Sequence, residues 1–311
     1  MLGLARKLRE EGVLGINRRN AEYITVLNPR SHYPLVDDKL RTKELALAAG
    51  MAVPELYGVI SAQHEVRALP ELVDSRERFV VKPAHGSGGN GILVITGRRK
   101  ELYRKSSGEV MSRNDLGHHV SSTLSGLYSL GGQHDRVMIE YCVEADPVFE
   151  SLSFQGVPDI RVIVLQGYPV MAMLRLPTRQ SDGKANLHQG ALGVGIDLAT
   201  GTTTSAVQGN HPVSEHPDTG HAVDGLAIPN WREILELSVR SWEITGLGYL
   251  GVDVVIDRSF GPLMLELNAR PGLNIQIANQ LGLRHRLERV RRQSRGELPA
   301  QERIEFARQE S

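Results

Sequence analysis

The chain has 311 residues, 41% of them hydrophobic, enough for one large domain or two modest ones with a sizeable core. Lysine plus arginine and aspartate plus glutamate each total 36, so no overall charge points to a nucleic acid or an acidic surface. One cysteine, Cys142, excludes an intramolecular disulfide framework and a cysteine-rich zinc site, and no 18-residue apolar run offers a membrane span.

At the N-terminus, MLGLARKLREEG is too short and too charged for a secretory signal, and we expect a soluble, cytoplasmic protein. Asp38 is placed to cap a helix over KLRTKELALAAG, which ends at Gly50 with Pro54 just beyond. FVVKP (79–83) and ILVI (92–95) read as short buried strands around a glycine-rich loop. Residues 103–136 read as an irregular polar excursion with a short helix, and His118 and His119, being adjacent, point apart and complete no zinc site. VMIEY, DIRVIVLQ and PVMAMLRL read as strands, the last two joined by a tight turn at Gly167–Tyr168, with Cys142 a small buried thiol after the first. NLHQGALGVG reads as a loop and residues 205–225 as a surface excursion. Trp231, Ile234, Leu235, Ser238, Val239 and Trp242 recur at helical spacing up to Gly246. GVDVVID and PLMLELN form a hairpin turned at Arg258–Gly261. In the basic tail, Leu283, Leu287 and Val290 share one helical face. That face needs cover, either on the body of the protein or at a subunit interface, which leaves a homo-oligomer open; without interleaved aromatics the arginines do not suggest nucleic acid. Strands and hairpins interleaved with a few helices suggest the α+β class with antiparallel sheets.

The loop in VVKPAHGSGGNG (80–91) fits G-x-G-x-x-G at Gly86, Gly88 and Gly91. A dinucleotide fold needs a helix directly after such a loop, to receive the pyrophosphate, and here the β-branched ILVI follows. The Gly-Lys-Ser/Thr ending of a Walker loop is also missing. A glycine loop between antiparallel strands can instead fold over phosphates, its N–H groups approaching the oxygens while Lys82 supplies a cation. Protein kinases use that arrangement, but their lysine follows the loop and their other signatures are absent. An ordinary glycine-rich turn stays open as the alternative.

The hairpin carries a second constellation, Asp253, Glu266 and Asn268. Glu266 and Asn268 are two apart on a strand and face one side, and Asp253 can share that face. Three oxygen ligands suit Mg²⁺ completed by phosphate and water, and unpartnered burial of such acids would be costly. Acids facing solvent opposite lysine or arginine are the alternative. A phosphate-facing loop, a cation and a metal together are the parts that phosphoryl transfer needs.

With these pieces in order, residues 36–280 resemble the ATP-grasp superfamily, and within it the ligases that add glutamate to a protein C-terminus. The likeness is carried by DDKLRTKELALAAGMAVPELYG, FVVKPAHGSGGNGILVI, IEYCVEAD, DIRVIVLQGYPVMAMLRL, KANLHQG, GVDVVID and LELNARPGL. The resemblance implies an ATP-grasp fold of two α+β sub-domains clasping Mg-ATP, with Mn²⁺ able to replace Mg²⁺. It implies residues 37–280 as the ATP-grasp domain, with a flap sub-domain at about 60–137, a truncated N-terminal segment 1–36, and a basic helical tail 281–311. By position, Lys39 and Lys82 would touch the phosphates, and Gly86, Ser87, Gly88, Gly89, Asn90 and Gly91 would form the flap. Glu140 and Tyr141 would lie against adenine and Glu144 near ribose. Asp159 and Arg161 match the Asp-x-Arg of the central strand, and Arg175, Lys184 and Asn186 match positions near the transferring phosphate. Asp253, Glu266 and Asn268 match the metal ligands.

The implied activity is an ATP-dependent carboxylate–amine ligase working through an acyl phosphate, adding an amino acid such as glutamate to a peptide, protein C-terminus or small acid. Two other readings stay open: a nucleotide-binding regulatory protein without turnover, and a kinase on the same fold. The chain departs from the resemblance in places. Only about 35 residues precede Asp37, where such ligases usually have a pre-grasp domain. INRRNAEYITVLNPRSHYP is the candidate replacement for part of it, with Arg18, Arg19 and Asn20 either binding an acidic substrate or lying in a solvated loop. Ala191 replaces a usual glycine, residues 145–158 look inserted, and Arg270 stands where a small residue is common and could hold a substrate carboxylate. His188 is expected near substrate and His85 near phosphate.

Overall fold

The computed structural model describes residues 2–86, 88–129, 132–293 and 298–309. The chain divides into two compact units, a smaller one of Asp38–Glu44 and Val53–Val143 and a larger one of Met1–Asp37, Leu45–Ala52 and Glu144–Ser311. The segments before Asp37 and after residue 280 thus belong to the larger unit.

Six antiparallel strands build the smaller unit: β1 (Leu56–Ile60), β2 (Phe79–Pro83), β3 (Leu93–Arg99), β4 (Leu102–Lys105), β5 (Val110–Ser112) and β6 (Val137–Glu140). Their order is β1-β6-β2-β3-β4-β5, so the glycine loop joins neighbours β2 and β3 as the strand–loop–strand pattern requires. Asp38 Oδ1 accepts from the N–H groups of Leu40 and Arg41 and caps the helix Lys39–Ala48. The stretch read as irregular, 103–136, holds more order than expected: most of β4, then β5, and a 12-residue helix, Arg113–Leu124. β4 and β5 are short and bury one residue each, Tyr103 and Met111, so no apolar run marks them. The helix opens with a reciprocal Ser112–Asp115 cap and buries Leu116, Val120 and Leu124 in the core of Phe79, Val81, Ile95 and Ile139.

The larger unit holds β7 (Asp159–Leu165), β8 (Tyr168–Leu176), β9 (Leu192–Ile196), β10 (Thr203–Gln208), β11 (His211–Val213), β12 (Tyr249–Asp257) and β13 (Gly261–Asn268). Their order is β11-β10-β9-β8-β7-β12-β13, with every neighbouring pair antiparallel. Strands β7, β8 and β12 are buried at every position, which is why they read as continuous apolar runs. The β7–β8 turn is Gln166–Gly167, one residue earlier than expected, both with positive φ (49° and 82°).

Two loop expectations are corrected. ALGVG is largely β9, and 205–225 contains the end of β10 and all of β11. Glycine hides β9 for a packing reason: a Cβ at Gly195 would meet Thr204 Oγ1 at 2.7 Å and the Ala278 carbonyl at 2.9 Å. The expected helix is Trp231–Thr245, and Gly246 closes it in the left-handed conformation. The tail helix Arg284–Gln293 packs on its own unit, inserting Leu287 and Val290 beside Tyr23, Ile163, Met171 and Tyr249. A second helix, Ala300–Arg308, lies within the stretch expected as a helical tail. Among the described residues no helix is long and apolar enough to cross a membrane.

Candidate active site

On the smaller unit, β2 and β6 pair side by side, and their buried polar ends, Lys82 and Glu140, form an ion pair. A second ammonium, that of Lys43, lies 2.8 Å from the other Glu140 oxygen and donates to the Pro54 carbonyl. Against the cost of burial, Lys82 and Lys43 hold the Glu140 carboxyl below the usual range, while burial pulls the Lys43 ammonium down. Two lysines thus share one carboxylate. Lys43 went unnoticed in the sequence, yet it stands four residues after Lys39 on one helix, the spacing that puts two side chains on the same face.

Lys39 Nζ donates to the Gly86 carbonyl at 2.6 Å and so meets the glycine loop. Gly88, Gly89 and Gly91 have φ of 63°, 81° and 76°, a run of left-handed residues that only glycine adopts freely; Asn90 lies among them, and Ser87 lies outside the described residues. At the loop's start, His85 Nδ1 is 2.8 Å from Asp135 Oδ1, and Asp135 also accepts from Ser129. This buried aspartate was missed by sequence reasoning; against burial, His85 and Ser129 hold its carboxyl below the usual range. Tyr141 N–H donates to the Glu55 carbonyl at 2.8 Å.

On the larger unit, strand register assembles an array of its own. Asp159 pairs with Arg175 across β7–β8, Arg161 with Asp253 across β7–β12, and Asp253 with Glu266 across β12–β13. Residues opposite each other in antiparallel strands share a face, as do Asp159 and Arg161 two apart, so all five line one side of the sheet. Arg161 Nε donates to Asp253 Oδ1 and Arg175 Nη2 to Asp253 Oδ2, each at 2.7 Å, and Arg175 also grips Asp159. Burial, reinforced by the Asp253 charge, pushes the Asp159 carboxyl up to about 7 despite Arg175, whereas Arg161 and Arg175 overcome burial and hold Asp253 at about 2. Asp253 therefore stays ionised and Asp159 is the first of the pair to take a proton. Three acids, counting Glu266, face two guanidinium groups. That surplus suits a divalent cation.

Oxygen donors for such an ion are present. Asp253 uses three of about four lone-pair sites on the arginines. Asn268 Oδ1 accepts only the Arg270 N–H among its hydrogen bonds described, at 2.8 Å, and Glu266 is half-buried between them along β13. Among the described residues no three His, Cys, Asp or Glu side chains converge on one point. A metal here would complete its shell with other oxygens, as Mg²⁺ does with phosphate and water.

The other expected residues have contacts of their own. Lys184 Nζ is 3.6 Å from Asp182, and Asn186 Oδ1 accepts from the N–H of exposed His188; these are local contacts on the segment between β8 and β9. Glu144 lies 3.8 Å from Arg258, and its N–H donates to Asp257. Arg270, expected to hold a substrate carboxylate, already has one: it bonds both oxygens of Asp37 at 3.0 Å and stacks on Tyr33.

A family model described as sugar-transfer associated ATP-grasp matches residues 18–292. Among curated relatives, a probable alpha-L-glutamate ligase of Maridesulfovibrio salexigens is 24% identical over 253 residues, 78% of this chain and 61% of that protein. A probable alpha-L-glutamate ligase 2 of Hahella chejuensis is 26% identical over 270 residues, 86% of this chain and 62% of that protein. The chain thus spans about three fifths of the length of these relatives. Among solved structures, a D-cycloserine synthetase aligns with a TM-score of 0.49 at 17% identity, over 88% of this chain and 79% of that one. With its two antiparallel sheets and a family match over most of its length, the chain belongs to the sugar-transfer associated ATP-grasp family.

Proposed function

We propose that the protein is an ATP-dependent carboxylate–amine ligase that joins an amino acid such as glutamate to a peptide, protein C-terminus or small acid. The observation that carries this reading is the one-sided array of Arg161, Arg175, Asp253 and Glu266. It offers fixed positive charge for an oxyanion beside a negative surplus for a metal. In this reading Lys39, Lys82 and the loop from Gly86 to Gly91 receive the ATP phosphates, Glu140 and Tyr141 lie against adenine, and Glu144 serves the ribose. Glu266, Asn268 and the remaining lone pair of Asp253 hold Mg²⁺, which would neutralise charge on the transferring phosphate.

A substrate carboxylate oxygen attacks the γ-phosphorus and ADP departs, leaving an acyl phosphate. The amine then attacks the acyl carbon, and phosphate leaves with the former carboxylate oxygen. Arg161 and Arg175 orient the carboxylate and balance charge on the phosphoryl group. No nucleophile from the protein is needed, in keeping with Cys142 being buried.

Lys82→Ala is expected to weaken Mg-ATP binding by roughly 1.5–3 kcal/mol, the scale of a charge-assisted hydrogen bond. The fold should survive because Glu140 keeps Lys43. Calorimetry with equal affinity in the two proteins would remove Lys82 from the phosphate site. The ligase reading itself is tested by ADP release from Mg-ATP against amino acids and acidic peptides, with products read by mass. Amine-dependent release with a condensed product supports it. A phosphorylated product without condensation makes the protein a kinase, and binding without release makes it a nucleotide-binding regulator.

A further inference from the structure

Four arginines are buried among the described residues: Arg19, Arg161, Arg175 and Arg303. Three end on carboxylates, Arg161 on Asp253, Arg175 on Asp159 and Arg303 on Glu243. Arg19, only 7% exposed, ends on neutral oxygens: its Nε and Nη2 donate to Asn20 Oδ1 and its Nη1 to the Pro271 carbonyl. A buried cation is ordinarily paired, because desolvation without an anion is expensive. Burial accordingly lowers the Arg19 pKa, opposed in part by the Tyr249 phenol and by no carboxylate. Nearby, the buried Tyr249 hydroxyl feels the Arg19 charge and has no hydrogen-bond partner among the described residues. Of the five N–H donors a guanidinium carries, two remain unused here.

The position of Arg19 ties it to the array on the same unit. Pro271 follows Asn268 by three residues and packs against Gly251, where a Cβ would meet Pro271 Cβ at 2.8 Å and Arg161 Nε at 3.7 Å. Immediately after Arg19 the backbone widens into a π-turn segment, Asn20–Ile24, a feature frequent at functional sites.

We infer that Arg19 is a binding residue for a carboxylate of the acid or amino-acid substrate, an anionic partner that none of its described hydrogen bonds within the chain supplies. The identity of that anion rests on the ligase reading; its binding does not need turnover. Among the described residues one N–H on each of Nη1 and Nη2 is left to donate to a carboxylate, a planar pair of donors that an ammonium does not reproduce.

The test is calorimetric titration of L-glutamate, succinate and the dipeptide glutamyl-glutamate into the wild type, Arg19→Gln and Arg19→Lys, at constant ionic strength. MgADP binding and ligand-free melting are measured in parallel. At least one carboxylate should bind the wild type, at least tenfold more weakly Arg19→Gln, and with intermediate strength Arg19→Lys, which keeps the charge but not the fork. MgADP affinity should stay within twofold, and Arg19→Gln should melt no lower than the wild type because it removes an uncompensated charge. Carboxylate binding that is equal in all three proteins, or absent from the wild type, overturns the inference. So does a melting drop of several degrees in Arg19→Gln, which would make Arg19 a structural tie to the Pro271 loop. Failure of MgADP to bind the wild type counts against the ligase reading instead, and leaves the carboxylate titrations interpretable.

Discussion

Asp253→Ala should destabilise the protein by about 3–5 kcal/mol, the cost of removing one member of a buried ion network. Its carboxylate receives two bonds from Arg161 and one from Arg175, and it is 1% exposed. Without it, Arg161 loses its ion-pair partner and Arg175 loses one of its two buried carboxylates while keeping Asp159. Asp253→Asn keeps the shape and part of the bonding, and should lose less. The contrast is Asp37→Ala, which breaks the half-exposed pair with Arg270 and should cost no more than about 1 kcal/mol. Urea unfolding of the three variants checks the ranking. A loss below 1 kcal/mol in Asp253→Ala would mean that the two arginines find water or other partners, and that the array is not preorganised.

Glu266→Ala should do the opposite, leaving stability nearly unchanged while lowering turnover by at least about 10²-fold, the scale of losing one transition-state charge partner. Glu266 is half-buried and sits directly across from Asp253, and its charge acts on Arg175. Its place opposite Asp253 and two residues before Asn268 makes it the principal metal ligand in the proposed reaction. Steady-state kinetics with a melting curve separate the two effects. Unchanged kcat at saturating Mg²⁺ would take the metal role from Glu266.

Strands buried on both faces were readable because every residue contributes to an apolar run, as in DIRVIVL and YPVMAMLRL. The hairpin itself was readable from its apolar strands and turn, but not its register at the site: counted back from the turn Asp253 would face Leu265, and a bulge after Asp253 sets it opposite Glu266. Strand β9 was not readable, since its glycines answer to Ala278 and Thr204, which are distant in sequence. The pairing of Arg161 with Asp253 joins strands 92 residues apart, and no local pattern announces it. Lys43 and Asp135 escaped for the same reason, each gaining its role from a partner about 50 residues or more away. Arg270 is a further case: its guanidinium bonds both oxygens of Asp37, 233 residues away in sequence, a contact that its own neighbourhood does not announce.

The acyl-phosphate route is tested most directly by isotope transfer. Once an acid substrate has been found by mass, it is supplied with both carboxylate oxygens as ¹⁸O, together with Mg-ATP and the amine. The account predicts one ¹⁸O atom in each inorganic phosphate released and the other retained in the amide. Phosphate without label, or label appearing in AMP, would contradict it.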